Sequence, residues 1–346
     1  KILLICSKRG KKEIYRDKNF SFINKNNISL LDGITPNPTI IQIEKIIKKI
    51  KNKKFDFIIG IGGGSTIDTA KAIKLFLSIK KKYSIKKVIK NINTLEKKLK
   101  CKLIAIPTTS GTGSEVTCYS TVWDSKKKKK LSLNNNFLYP DYAVVDPELT
   151  YGLNINQTIY TGLDSLNQAF ESVWNKNSNK ITQKYAAKSI TNSIPALIKI
   201  KTDFNNKRLR SMLSKSSLQA GICISKTRTC ICHSISYPLT AHYGVPHGLA
   251  CAFSMLEVLK YVLKKDKYYF KKIFVNSRYR SKKLFLKEIK ELFKVLKIKK
   301  RIKSYNVTFR KIIPLLSEMY TPERADNFPF EINENFIKNI LKKSLN

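Results

Sequence analysis

The chain contains 346 residues and carries a formal net charge of +43, from 67 basic and 24 acidic side chains. This length favours two domains, because single cores stop growing at about 250–300 residues, and a hydrophobic content of 42% argues against a disordered chain. The lysines run along the whole chain without a zinc finger or an arginine-rich arm, which argues against a nucleic-acid-binding protein. A field this positive would instead attract anionic substrates and the phosphates of a cofactor.

The first part of the chain alternates predicted strands with predicted helices. Short apolar runs predict buried strands, and apolar residues at helical spacing predict helices. In chain order these are a strand at Ile2–Cys6, a helix at Thr39–Lys51, a strand at Phe55–Ile61, a helix at Thr66–Ile79, and strands at Leu103–Ile106 and Tyr142–Val145. Such alternation is typical of a doubly wound parallel sheet. We therefore predict an α/β dinucleotide-binding domain over residues 1–153.

The pattern changes after residue 153. The later periodic segments predict helices at Thr158–Asn175, Gln183–Ile200, Leu209–Ser225, Leu249–Leu263 and Phe285–Leu296. We therefore predict an all-α domain over residues 154–346 that follows the α/β domain. Five consecutive lysines, Lys126–Lys130, lie between two short predicted strands and indicate a solvated hairpin tip.

The seven cysteines indicate a reducing compartment. Their number is odd, no C-x-x-C spacing occurs and most lie in apolar stretches, so we expect buried free thiols in a cytoplasmic protein. The first ten residues, KILLICSKRG, lack a signal-peptide pattern. Cys230–Leu256 has no charged residue other than histidine and is long enough to raise the question of a membrane span. Its three His, two Pro and two Gly favour a buried helix–loop at an active site.

A glycine run follows the predicted strand at Phe55–Ile61, in FDFIIGIGGGSTIDTAK. Glycines let a pyrophosphate approach bare N–H groups, and the start of the next helix adds partial positive charge. A glycine triplet alone could be an ordinary tight turn, but the surrounding string favours a phosphate cradle. The candidate residues are Gly62, Gly63, Gly64, Ser65 and Asp68.

A second loop, Ile106–Thr117, reads IPTTSGTGSEVT and follows a predicted buried strand. Ligands bind at the carboxyl edge of α/β sheets. The alternative is an ordinary Ser/Thr/Gly loop, but its position after a strand favours contact with the cofactor.

Two other segments together suggest a metal site. Asp164 and Gln168 are four residues apart on a predicted helix and therefore project from one face. His233 and His247 flank a segment that contains two prolines. One carboxylate, two imidazoles and one amide oxygen suit Fe²⁺, Zn²⁺ or a similar divalent ion. A single histidine is more often a core or surface residue, but all three histidines of the chain lie between positions 233 and 247.

Other polar residues flank this predicted metal site. His242, the third histidine, is expected near the site but not as a ligand. Cys230 and Cys232 are expected to be core thiols, because the ligand set is already filled. Lys226 and Arg228 precede His233 and could hold an anionic group by charge-assisted hydrogen bonds. Their alternative is two solvated bases at a helix end.

These motifs together resemble the iron-containing (group III) alcohol dehydrogenases. GGGSTIDTAK, PTTSGTGSEVT, GLDSLNQAFES and HSISYPLTAHYGVPHG follow the family's order and spacing over nearly the whole chain. Within the family, HSISYPLT, ESVWNKNS and the glutamine at position 168 are similar to the phosphonoacetaldehyde reductases. The resemblance implies the architecture that this family shares with dehydroquinate synthase, an NAD or NADP cofactor and one divalent metal.

The resemblance also implies roles for individual residues. Asp164, His233 and His247 would bind the metal, and Gln168 stands where most relatives have a histidine ligand. Tyr237 stands where most relatives have a further histidine that assists proton transfer, and Tyr237 and His242 are the catalytic candidates. The cofactor-binding candidates are Asn37, Gly62, Gly63, Gly64, Ser65, Asp68, Thr108, Thr109, Thr112, Thr117 and Lys130.

This chain departs from the family pattern in three respects. NAD-preferring relatives carry an acid after the first strand, whereas Ser7, Lys8 and Arg9 stand here and would accept the 2′-phosphate of NADP. Gln168 is a neutral ligand, which leaves both Fe²⁺ and Zn²⁺ open. The family's N-terminal strand hairpin is absent from this sequence, which would remove a contact of a possible homodimer.

The activity that this resemblance implies is the metal-dependent, NAD(P)H-driven reduction of a small aldehyde to a primary alcohol, with phosphonoacetaldehyde converted to 2-hydroxyethylphosphonate. The metal would act as a Lewis acid, the nicotinamide would give the hydride, and Tyr237 or the ribose would relay a proton. The alternatives are an iron-type alcohol dehydrogenase for another small aldehyde, a dehydroquinate-synthase-like lyase, and a basic binding protein without catalysis. We expect neither a nucleic-acid nor a membrane partner.

Overall fold

A computed structural model describes residues 1–16, 27–79, 83–95, 101–127, 129–265, 268, 271, 278–279 and 281–345. The chain forms two compact units. The first contains Lys1–Thr109 and Ser114–Thr150, and the second contains Ser110–Gly113 and Tyr151–Asn346. The domain boundary at residue 153 stays a prediction.

The first unit is built on a five-stranded sheet. Its strands are β1 (Ile2–Cys6), β2 (Ile28–Leu31), β3 (Phe57–Gly62), β4 (Lys102–Pro107) and β7 (Tyr142–Ala143). They run in the order β2-β1-β3-β4-β7, and every neighbouring pair is parallel. Gly62 lies opposite Pro107, so the carboxyl ends of β3 and β4 coincide. A separate antiparallel hairpin pairs β5 (Tyr119–Asp124) with β6 (Lys129–Asn134).

Helices cover both faces of this sheet. They are α1 (Lys8–Arg16), α2 (Ile40–Ile50), α3 (Gly64–Ser78) and α4 (Ile85–Asn91). Leu3 and Ile58 pack with residues of α2 and α3, whereas Leu4 and Ile61 pack with Ile14 of α1. A sheet buried on both faces needs nearly continuous apolar strands, which is the pattern that predicts β1, β3 and β4. Those predictions are confirmed, and the predicted strand at Tyr142–Val145 is shorter in the structure.

The described residues of the second unit form helices and connecting loops and contain no strand. Its helices are α5 (Ile155–Val173), α6 (Lys180–Lys199), α7 (Lys207–Thr227), α8 (Ile231–Tyr243), α9 (His247–Lys265), α10 (Lys282–Val295), α11 (Ile298–Lys303), α12 (Phe309–Ile312), α13 (Pro322–Ala325) and α14 (Glu334–Leu345). Asn154, Asn179 and Asn206 cap the starts of α5, α6 and α7 by accepting backbone N–H groups. α5 packs against α6, α7 and α9, and α8 packs against α9. The predicted α/β and all-α architecture is confirmed.

The segment predicted as a helix–loop forms two helices. α8 continues through Pro238 to Tyr243, and Gly244 ends it in the left-handed conformation with φ of 65°. Glycine favours this conformation, which stops a helix and reverses the chain. α9 then begins at His247. This arrangement places His233 and His247 near each other on adjacent helices.

The lysine run lies at the hairpin of the first unit, as predicted. Lys126 and Lys127 are exposed beyond β5, and the N–H of Lys127 bonds to Asp124 Oδ1 at 3.2 Å. Lys128 lies outside the described residues. Lys130 pairs with Trp123 in the ladder of β5 and β6. The first lysines of the run therefore lie at a solvated hairpin tip, and the last ones belong to the strand β6.

All seven cysteines are buried free thiols. Burial raises the pKa of Cys6 to about 11 and that of Cys223 to about 12, which makes both poor nucleophiles at neutral pH. Across the part of the chain that is described, no helix combines the length and the apolar character that a membrane span requires.

A buried lysine anchors α3 to the start of β5 and to the residues just before it. Lys71 is fully buried, and its Nζ donates to the backbone oxygens of Thr117 and Tyr119, both at 2.8 Å, and to Thr117 Oγ1 at 3.2 Å. Burial lowers the pKa of Lys71 to about 8, although the charges of Asp68 and Glu115 oppose this shift.

Replacing this lysine, Lys71→Met, should lower the free energy of unfolding at pH 7 by about 2–4 kcal/mol, because three oxygens lose a charged donor. The folded pKa of about 8 lies below the usual 10.5, so between these values the unfolded chain binds more protons and the contribution of Lys71 to stability rises with pH. Urea unfolding of both proteins at several pH values should therefore show a difference that widens between pH 8 and pH 10.5. If the difference in unfolding free energy stays constant or narrows over this pH range, the account is contradicted. Lys102→Met, at an exposed lysine, is the control and should not show the widening.

Candidate functional site

Three helices of the second unit bring side chains to one buried point. α5 carries Asp164, α8 carries His233, and α9 carries His247 and, one turn later, Cys251. One ligand atom from each of these four residues lies within 4.8 Å of the other three. Asp164, His233 and Cys251 are buried, and His247 is partly buried. Carboxylate, imidazole and thiolate groups at this spacing match the donors of a divalent metal.

The individual distances show that these groups face one another. His233 Nε2 lies 3.3 Å from Asp164 Oδ1. The imidazoles of His233 and His247 meet edge to face, with 5.4 Å between ring centroids. Cys251 Sγ lies 3.8 Å from the His247 ring nitrogens. The predicted ligands Asp164, His233 and His247 therefore do come together.

Gln168, the fourth predicted ligand, lies one turn after Asp164 on α5. Its side chain is buried, and among the described residues its Oε1 has no hydrogen-bond partner. A buried amide oxygen without a donor costs free energy, which a cation would offset. The donor set and this oxygen both fit a bound divalent cation.

The carboxylate of Glu171 organises the site, although the sequence analysis did not single it out. It is fully buried and accepts three backbone N–H groups at the start of α8, from Cys230 at 2.8 Å, Cys232 at 2.6 Å and His233 at 3.1 Å. It also lies 2.6 Å from His233 Nδ1. Glu171 lies seven residues after Asp164 on α5, which is a same-face helical spacing that could have revealed it.

This contact decides which nitrogen of His233 is available for a ligand. The Nδ1–H donates to the Glu171 carboxylate, so Nε2 is the nitrogen that faces Asp164 and that a metal would bind in place of a proton. Burial by itself lowers the pKa of His233, but the nearby Cys251, Glu171 and Asp164 outweigh burial and raise the pKa well above its usual value. The surroundings of His233 therefore favour a positive charge, whether from a proton or from a metal.

Tyr237 and His242, the two catalytic candidates, have different environments. The ring of Tyr237 stacks on His247 with 6.1 Å between centroids, and the guanidinium of Arg324 lies 5.0 Å from the Tyr237 ring centroid. The imidazole of His242 instead hydrogen-bonds to Glu318 at 2.8 Å, and the residue is exposed. Tyr237 therefore lies beside the candidate ligands, whereas His242 does not join the group of four.

Lys226 and Arg228, the predicted substrate residues, lie at the end of α7. Both residues are exposed, and Arg228 adopts a φ of 63°. Thr227 between them is buried and lies within hydrogen-bond distance of Ser172, at 3.1 Å. The two bases are therefore free to face solvent, and their role in substrate binding stays a prediction.

The glycine run of the first unit forms the turn between β3 and α3. Gly62 ends β3, Gly63 is the N-cap of α3, and Gly64 and Ser65 begin the helix. A Cβ on Gly62 would lie 2.4 Å from Thr66 Oγ1, so this turn requires glycine. Gly63 has no side chain to cap the helix, and the first N–H groups of α3 can therefore receive an anion.

Several predicted cofactor residues surround this turn. The N–H of Asn37, which adopts a φ of 58°, donates to Ser65 Oγ at 3.1 Å. Thr108 and Thr109 follow β4, and the N–H of Thr108 donates to Gly62 O at 2.9 Å. Residues from three separate loops thus meet at the carboxyl edge of the sheet, where nucleotides bind in such folds.

Asp68 and Thr117 serve the structure of this region. The Asp68 carboxylate accepts the Ser114 hydroxyl at 2.6 Å and the Thr121 N–H at 2.9 Å. Thr117 receives the Lys71 ammonium through its carbonyl and hydroxyl oxygens. These contacts fix the loop that follows β4.

Thr112 and Lys130 are the last two cofactor candidates. Thr112 lies in the segment Ser110–Gly113, which groups with the second unit. Lys130 lies in β6. Their contact with a cofactor stays a prediction.

The residues after β1 bear on the choice between NAD and NADP. Arg9 donates to the carbonyl oxygens of Thr108 at 3.3 Å and of Leu149 at 2.6 Å. The Ser7 hydroxyl accepts the N–H of Gly10 at 3.0 Å. Lys8 is exposed, so Lys8 rather than Arg9 is the base that could move to meet a 2′-phosphate.

Both parts of the chain match one protein family. Residues 1–147 match the model described as iron-containing alcohol dehydrogenase, and residues 158–345 match the C-terminal model of the Fe-containing alcohol dehydrogenase family. The chain is 34% identical over 236 residues to 1-propanol dehydrogenase of Citrobacter freundii, and the aligned region covers 68% of this chain and 60% of that protein. It is 29% identical over 251 residues to phosphonoacetaldehyde reductase of Streptomyces viridochromogenes, and the aligned region covers 67% of this chain and 62% of that protein. The matched region thus spans about three-fifths of each relative.

A solved structure shares the architecture over almost the whole chain. It is sulfoacetaldehyde reductase from Bifidobacterium kashiwanohense in complex with NAD⁺, with a TM-score of 0.84 and 25% sequence identity. The match covers 99% of this chain and 90% of that chain.

The variant Glu171→Gln should weaken metal binding about 10–100-fold, because outer-shell carboxylates orient ligating histidines and raise their basicity. Competition with a chromophoric chelator measures the affinity for Zn²⁺. The exposed carboxylate of Glu334, which pairs with Lys338 on α14, provides the control Glu334→Gln, which should bind like wild type. Equal affinities for wild type and Glu171→Gln would show that the carboxylate does not position His233.

Proposed function

Because the chain belongs to the iron-containing alcohol dehydrogenase family, we propose that it is a metal-dependent NAD(P)H oxidoreductase that reduces a small aldehyde to its primary alcohol. The observation that carries this proposal is the convergence of Asp164, His233 and His247, whose ligand atoms lie within 4.8 Å of one another. The buried oxygen of Gln168 on the same helix face as Asp164 supports the same assignment.

Asp164, Gln168, His233 and His247 are the proposed ligands of one divalent cation, Fe²⁺ or Zn²⁺. When bound, the cation supplies Lewis-acid polarisation of the aldehyde oxygen and the nicotinamide supplies the hydride. Glu171 keeps the proton of His233 on Nδ1. The burial of three of the clustered side chains limits access of water, which strengthens electrostatic interactions within the site.

The glycine turn of the first unit is the proposed site for the cofactor's pyrophosphate. Gly62, Gly63, Gly64 and Ser65 would present backbone N–H groups at the start of α3. Asn37, Thr108 and Thr109 would line the same pocket. Asp68, Thr112, Thr117 and Lys130 remain further candidates, and an exposed Lys8 is compatible with NADP as well as NAD.

Tyr237 is the proposed proton relay. Its ring stacks on that of His247, one of the proposed ligands, with 6.1 Å between the centroids. The guanidinium of Arg324 lies 5.0 Å from the centroid of the same ring. Tyr237 would hand a proton to the product oxygen and recover one from water. His242 remains a catalytic candidate by its position on α8 alone.

The proposed substrate is a small anionic aldehyde, phosphonoacetaldehyde, which would yield 2-hydroxyethylphosphonate. The similarity to a phosphonoacetaldehyde reductase and the fold shared with a sulfoacetaldehyde reductase support this choice. A net charge of +43 would raise the local concentration of such an anion. Lys226 and Arg228 are the residues proposed to bind the phosphonate.

A second candidate is an iron-type alcohol dehydrogenase for an uncharged short-chain aldehyde, which the similarity to a 1-propanol dehydrogenase favours. A lyase reaction loses support because both parts of the chain match alcohol dehydrogenase models. A homodimer and a cytoplasmic location stay predictions.

Purified protein loaded with Fe²⁺ or Zn²⁺ should oxidise NADH or NADPH in proportion to added aldehyde, as measured by the near-ultraviolet absorbance of the reduced nicotinamide. The variant His247→Ala should lose at least about 10²-fold in kcat/KM, because it removes a ligand of the electrostatic catalyst. Lys260→Ala, a surface change on the same helix, should retain activity. Cofactor that returns unchanged after turnover would indicate lyase chemistry and refute the proposal.

The substrate proposal is tested with Arg228→Gln, which removes the charge of the side chain and keeps a polar group of similar length. Loss of one charge-assisted hydrogen bond, about 1.5–3 kcal/mol, should raise KM for phosphonoacetaldehyde about 10–100-fold and leave KM for propanal unchanged. Arg208→Gln, an exposed arginine at the start of α7, is the control. An unchanged KM for phosphonoacetaldehyde would exclude Arg228 as a phosphonate ligand.

A further inference from the structure

Cys251 differs from the other six cysteines in what surrounds it. It is fully buried on α9, one turn after His247. Among the described residues it is the cysteine whose sulfur groups with Asp164, His233 and His247, each ligand atom within 4.8 Å of the others. Cys230 and Cys232, which lie beside His233 in the sequence, are buried but do not belong to this group. Proximity in the fold therefore singles out Cys251, and not Cys230 or Cys232, which are close to His233 in sequence.

The sulfur of Cys251 lies among the polar atoms of the other three residues of the group. Sγ lies 3.8 Å from the ring nitrogens of His247, and a ring nitrogen of His233 lies within 4.8 Å of it. Two imidazoles and a carboxylate around one sulfur give the cysteine, histidine and carboxylate donors of protein zinc sites. A thiol that only filled space would be surrounded by apolar groups instead.

The charge of the donor set gives a second reason. Asp164 is the single anion among Asp164, Gln168, His233 and His247, and Gln168 contributes a neutral and weak oxygen. A thiolate at Cys251 would provide a second anion and would balance the two charges of a divalent cation. Gln168 does not supply a fourth strong ligand. The thiolate of Cys251, one helical turn from His247, would supply it.

We propose that Cys251 binds the metal as a thiolate, so that Asp164, His233, His247 and Cys251 form the strong ligands and Gln168 is at most a weak one. This inference rests on the proposed function, because it assumes a cation at this point. On binding, the thiol proton leaves to solvent and a sulfur–metal bond forms, without any change of oxidation state. Because thiolates are soft ligands, the site should prefer Zn²⁺ over Mg²⁺ or Mn²⁺.

Cobalt substitution tests this directly, because Co²⁺ replaces Zn²⁺ and a thiolate ligand gives an intense near-ultraviolet charge-transfer band that oxygen and nitrogen ligands do not give. Wild-type protein titrated with Co²⁺ should show this band, with saturation at one ion per chain. Cys251→Ser should lose the band, whereas Cys232→Ser, a neighbouring buried thiol outside the group, should keep it. Zinc affinity, measured with a chelator, should fall at least about 10-fold in Cys251→Ser.

The outcomes separate this inference from the proposed function. The ligand role of Cys251 is overturned if wild-type protein binds one cobalt ion per chain without showing the band. It is also overturned if Cys251→Ser binds cobalt and keeps the band. Either result leaves the metal-dependent function in place. A wild-type protein that binds no cobalt or zinc overturns both. If Cys251→Ser fails to fold, as judged by thermal unfolding, Cys251→Asp takes its place: an anionic oxygen should restore cobalt binding without the band. A thiolate band in Cys251→Asp also contradicts the inference.

Discussion

The buried carboxylate of Glu171 holds the candidate site together. It accepts the N–H groups of Cys230, Cys232 and His233 at the start of α8, and it takes the Nδ1–H of the same histidine. A buried carboxylate is tolerated only with such a set of donors. One interaction thus joins α5 to α8, sets the orientation of the His233 ring and directs Nε2 towards Asp164.

The third helix of the site depends on close packing. A Cβ on Gly248 would lie 1.8 Å from the carbonyl oxygen of Tyr160 and 3.0 Å from Asp164 Cβ, so only glycine lets the start of α9 approach α5. That approach is what brings His247 within reach of Asp164. The cluster is therefore a product of helix packing, and its ligands come from three helices that are separated in sequence.

Local patterns were enough to predict much of this arrangement. The strand β3, the glycine turn and the proposed ligands Asp164, His233 and His247 can be predicted because each rests on a short motif. Glu171 and Cys251 were missed, although each lies at a same-face spacing from a predicted ligand, because their significance depends on contacts between helices. α8 also continues through the buried Pro238, although a proline inside a helix removes one backbone hydrogen bond.

The central claim is that one divalent cation is held by the second unit at this point. Diffraction from crystals grown with Zn²⁺, collected on both sides of the zinc absorption edge, tests it most directly. The account predicts one strong anomalous peak about 2.0–2.3 Å from the ligand atoms of Asp164, His233 and His247. A zinc-loaded crystal in which this position has no anomalous density, or in which the peak lies on other residues, would contradict the account.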